Sequence, residues 1–99
     1  MDFKTINRKD WSCVTTLNRI GYTYDRVSEN ENYIVWSQRD FHPGQLNLEV
    51  WKKRWVDNPD GSRALIAPND NEWGTYGWTV IGKTEPIKTK VLERFGIAL

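Results

Sequence analysis

Residues 33 to 56 of this chain, YIVWSQRDFHPGQLNLEVWKKRWV, are two runs of aromatic and β-branched residues joined through a Pro-Gly pair. Their apolar positions recur with a period close to two, which collects them on one face of a strand and scatters them around a helix. HPGQ places Pro43 and Gly44 where a type II turn needs φ near −65° and then a positive φ, so the two runs are expected to pair antiparallel. The same period appears in YTYDRV (22 to 27), joined through SENEN, and in EWGTYGWTV (72 to 80). A short strand, RALIA (63 to 67), is expected between the breakers DNPDGS and PNDNE.

Two segments carry helix signals instead. INRKDWSCVTTLNRIG has Asn7 as N-cap, Asp10 at N3 and Gly21 at the C′ position. Ile6 and Trp11 have hydrophobic-staple spacing, and Cys13, Val14, Leu17 and Ile20 form an apolar stripe in which Cys13 is expected to be buried. TEPIKTKVLERFG has Thr84 as N-cap, Pro86 in the first turn, Gly96 at C′ and a stripe of Ile87, Val91, Leu92 and Phe95. The expected architecture is one α+β domain over residues 1–99: an antiparallel four- to five-stranded meander with the N-terminal and C-terminal helices packed on one face.

Ninety-nine residues allow a single core. Fourteen Lys and Arg against thirteen Asp and Glu leave a net charge of +1, which gives no strong field toward duplex DNA. Cys13 is the only cysteine, so a disulfide framework is not expected and a reducing compartment is. MDFKTINRKD has no apolar h-region and no stretch approaches a membrane span, so the expected location is cytoplasmic, away from the membrane.

With both helices on one face, the other face of the sheet should be open. Alternation sets Leu46, Leu48, Val50 and Val56 against Asn47, Glu49, Trp51, Lys53 and Trp55; in the last strand it sets Tyr76, Trp78 and Val80 toward the core against Trp73, Thr75, Gly77 and Thr79. Gly77, between two large rings, fits a close neighbour or a bulge. The expected binding residues are therefore Trp51, Lys53, Arg54, Trp55 and Trp73. Trp51 and Trp55 would stand about 13 Å apart on one face with Lys53 between them, an arrangement suited to base stacking beside a phosphate or to a protein interface. The same residues also fit a half-exposed sheet whose Lys and Arg stems lie over Trp rings and guard an edge.

Phosphate-loop, dinucleotide, zincin and CxxC motifs are lacking, so no cofactor, metal ligand or catalytic residue is assigned. His42 follows Asp40 in RDFHPG and reads as a turn residue rather than an oriented base. Asp57, Asp60, Asp70 and Glu72 sit in turn sequences without EF-hand spacing.

LEVWKKR, the turn-rich insert, EWGTYGWTV and LERFG together resemble small uncharacterised bacterial and phage-encoded accessory proteins with a Y/L-E-V strand, an F/W-G turn, a W-T/S strand and a closing helix ending in Phe. The resemblance spans the C-terminal half and implies an accessory, mobile-element origin. The expected function is a small non-catalytic binding module whose Trp-rich face contacts another protein or a second copy; a phage-encoded inhibitor of a host factor would be one case. The alternative is single-stranded nucleic-acid or nucleotide binding on the same rings; the near-zero net charge favours protein or a small ligand.

Overall fold

The computed structural model describes residues 8–99. In chain order the elements are β1 (Thr16–Arg19), β2 (Tyr22–Glu29), β3 (Tyr33–Gln38), β4 (Gln45–Lys52), β5 (Trp55–Asp57), β6 (Arg63–Leu65), a 3-10 turn (Asp70–Glu72), β7 (Gly77–Lys83) and α1 (Thr84–Phe95). Five strands form one antiparallel sheet in the order β1-β2-β3-β4-β7, and β5 pairs with β6 in a separate hairpin. The meander expected from the period-two runs is present.

The C-terminal helix forms as read, with Ile87, Val91 and Phe95 buried and the Gly96 N–H bonded to Leu92 O. Its N-cap is Lys83 rather than Thr84, and Leu92 faces solvent. The buried trio packs on Val35, Leu48, Val50 and Val80. Asn30 ties the β2–β3 hairpin to this helix: its Oδ1 accepts from Asn32 N and Tyr33 N, and its Nδ2 donates to Phe95 O.

The expected N-terminal helix is not found. Its N-cap Asn7 and the staple residue Ile6 lie outside the described residues. From Arg8 to Thr15 the chain is irregular, and Thr16–Arg19 is strand β1. Gly21, read as a helix C′ residue, instead turns a hairpin: Arg19 pairs with Tyr22 across Ile20 and Gly21, whose φ values of 50° and 78° are the positive pair that a type I′ turn requires. A left-handed glycine serves a helix end and a hairpin equally well. The period-two side chains that follow it decide for the hairpin. Leu17 alone of the expected stripe is buried, Cys13 is exposed, and Asp10 accepts from Leu65 N as well as Ser12 N.

This irregular segment lies on the sheet face opposite α1. Trp11 meets Trp36 and Trp51 edge-on, with ring centres 6.0 and 5.3 Å apart, and Trp36 and Trp51 are 5.0 Å apart. Each such pair adds about 0.5–1.5 kcal/mol beyond the area it buries. Arg26 fixes the segment from below, its Nη1 donating to the carbonyls of Trp11, Ser12 and Val14. Leu65, from the β5–β6 hairpin, joins the same cluster. One face of the sheet is thus covered by a helix, and part of the other by chain without helix. Among the described residues, no helix is long and apolar enough to cross a membrane.

Candidate functional site

The expected third strand, residues 46 to 56, ends as β4 at Lys52, and Trp55 begins β5 in the other sheet. Two ion pairs sit at the break. Lys53 Nζ lies 2.6 Å from Glu29 Oε2, and Arg54 grips Glu72 through its two terminal guanidinium nitrogens, with Nη2 to Oε1 at 2.6 Å. The Lys53 hydrogen bond, followed by Arg26, holds the Glu29 carboxyl below its usual range, and the Arg54 pair does the same for Glu72. Arg54 also lies 4.2 Å from the Tyr76 ring, which places Tyr76 there rather than in the core beneath α1.

The break separates the rings expected to stand together. Trp51 is 2% exposed beneath Trp11, because the face expected to be open is covered over this half. Trp55 is 44% exposed on the outer hairpin with Arg63 against its ring. Trp73 is half-buried, packed on Gly77 so closely that a Cβ there would lie 2.6 Å from the indole. That close neighbour is the one expected for Gly77. Trp73 Nε1 donates to Thr79 Oγ1, and Arg19 sits 4.7 Å from its ring centre. Of the five expected residues, only Trp73 reaches the pocket described next. His42 rests against Phe41, and no hydrogen bond joins it to Asp40.

The cover stops at Trp73 and Thr79, and beyond it the sheet face is open. A pocket of about 240 Å³ lies there, floored by Tyr24, Gln38, Asn47 and Glu49 and walled by Trp73 and the β1–β2 hairpin. Strand alternation supplies the floor: Asn47, Glu49 and Trp51 share a face of β4, so the row that begins under the cover runs out into the pocket. Glu49 is 3% exposed, a carboxylate that burial penalises unless it is paired. Its Oε1 accepts from Arg19 Nη1 at 3.0 Å and from Trp51 Nε1 at 3.3 Å. Its Oε2 accepts no hydrogen bond from the described residues.

Asn47 Nδ2 donates to Gln38 Oε1 at 2.8 Å and to Tyr24 Oη at 3.5 Å, while the buried Asn47 Oδ1 has no partner among the described residues. Burial, and after it the nearby Glu49 charge, raises the Tyr24 pKa and keeps the phenol a hydroxyl donor. The floor therefore holds polar atoms whose bonding capacity is unfilled, in a site that also presents aromatic surface, the usual composition of a binding cavity. At the mouth stand Ile20, 87% exposed, and Tyr22, 56% exposed; Ile81, also 56% exposed, pairs with Asn47 one strand away.

The hairpin residues were hidden from sequence reading by the helix signal that spans Arg19 and Ile20. Asn47 and Glu49 were placed on the correct face and then outranked by the larger rings beside them. No known protein family, curated protein or solved structure matches this chain.

Proposed function

We propose that this chain is a non-catalytic binding module that engages another protein across the open half of the sheet, with Ile20, Tyr22 and Ile81 as apolar contacts around the Glu49 pocket. The supporting observation is Ile20. A β-branched residue at φ 50° is held against its preference, which asparagine or glycine would satisfy at lower cost, and its side chain is almost wholly in solvent. Strain kept at an exposed apolar tip beside an unfilled polar pocket is what a contact residue leaves behind in the free protein. The accessory origin implied by the resemblance is compatible with a role of this kind.

The alternative, base stacking on Trp51 and Trp55, has no shared platform in this arrangement, because Trp51 lies under Trp11 and Trp55 belongs to the other sheet. The test is a photo-crosslinking residue placed at Tyr22, and separately at Leu92 on the exposed side of α1, in cells that express the chain. Discrete protein adducts from position 22 and none from position 92 are expected. The same adducts from both positions, or none from position 22, would refute the proposal.

A further inference from the structure

We infer that the pocket holds an arginine side chain of the protein partner; this deepens the reading above and depends on it. Three properties of the pocket select a guanidinium.

Charge is the first. Among the described residues Arg19 is the only cation lining the pocket, and it pairs with two carboxylates, Glu49 at 3.0 Å and Asp70 at 3.8 Å. Asp70 faces solvent outside the pocket lining, so the single guanidinium of Arg19 is shared between the buried Glu49 and a second carboxylate. An entering cation adds a partner for Glu49, whereas the phosphate of a nucleotide would oppose its charge.

Unfilled acceptors are the second. Among the described residues, Glu49 Oε2 takes no hydrogen bond and Asn47 Oδ1 has no partner. A guanidinium carries five N–H donors and no acceptor, so it can serve both oxygens without introducing a mismatch of its own.

Ring surface is the third. Tyr22 stands at the mouth with its side chain exposed, and among the described residues no cation stacks on its ring, although Arg19 is its cross-strand neighbour. Guanidinium groups stack on such faces. The chain already builds one copy of this arrangement in cis: Arg19 sits over Trp73 while it bonds Glu49. A neutral carboxamide could satisfy the acceptors, but it would bring no charge to Glu49.

The test titrates the intact chain with N-acetyl-arginine amide and with N-acetyl-citrulline amide, which has nearly the same shape without the charge, and follows tryptophan emission. A saturable response at least tenfold tighter for arginine, weakened severalfold by added salt, is expected. Tyr22→Ala, an exposed change that leaves the core intact, and Glu49→Gln should each weaken it at least fivefold. Equal response to the two amides, no saturable response to either, or tighter binding of guanosine monophosphate than of arginine amide would overturn the inference. Adducts from position 22 that persist in such a case leave protein binding standing, so the two proposals fail separately.

Discussion

The sheet face opposite α1 has two halves built on the same strands and used differently. Over one half, Trp36 and Trp51 are sealed beneath Trp11 and Leu65. Over the other, Tyr24, Asn47 and Glu49 floor a pocket with bonding capacity unfilled. The boundary falls within β4, between Trp51 and Glu49, and the Trp51 Nε1 bond to Glu49 crosses it. One half contributes to stability by excluding water, whereas the other keeps polar and apolar groups accessible. Substitutions in the two halves should therefore separate folding from binding.

The largest effect belongs to the sealed half. Trp51→Ala should destabilise the fold by about 3–5 kcal/mol, the usual cost of emptying a core aromatic site, read from the urea midpoint. A loss below about 1 kcal/mol would mean that the cover is loose. Arg26→Ala comes next. It removes the bonds to three backbone carbonyls and the ion pair to Glu29, and should cost about 1.5–3 kcal/mol. Amide exchange should quicken in residues 8 to 15 and stay slow in α1.

Acid should act on the cover before it acts on the helix face. Asp10, through the Leu65 and Ser12 N–H groups, and Glu72, through Arg54, both have carboxyl pKa values lowered in the folded state. A depressed folded pKa stabilises above the unfolded value of about 4 and is lost as pH falls through the folded value. The urea midpoint should accordingly drop as pH is taken from about 5 downward, and Glu72→Gln should flatten that dependence. The smallest effect lies in the open half: Tyr22→Ala should change stability by no more than about 0.5 kcal/mol. A larger loss would move Tyr22 into the folding half and erase the distinction.

The strands were legible because period-two runs and turn residues are local signals, and α1 because its stripe and Gly96 agree. The first helix misled for a physical reason. Gly21 carries the same left-handed requirement in either element, while the grip of Arg26 on three carbonyls is a long-range contact that no spacing encodes. The break after Lys52 is similar: Glu29 and Glu72, distant in sequence, draw Lys53 and Arg54 aside and end the strand. Once the N-terminal segment becomes cover instead of helix, the aromatic face expected to be open is half closed. What remains open is the pocket above the floor of Tyr24, Asn47 and Glu49, residues that the larger rings overshadow in the sequence.

The most direct test of a face divided between folding and binding is Ile20→Asn, measured for urea stability together with crosslinking yield from position 22. The Asn-Gly pair suits a type I′ turn, so stability should rise by about 1 kcal/mol, while adducts from position 22 should fall severalfold with the loss of the apolar tip. A stability gain with undiminished adducts would contradict the account, because the strain at Ile20 would then serve no contact. A loss of stability would contradict it as well, by showing that the hairpin tip belongs to the folded core.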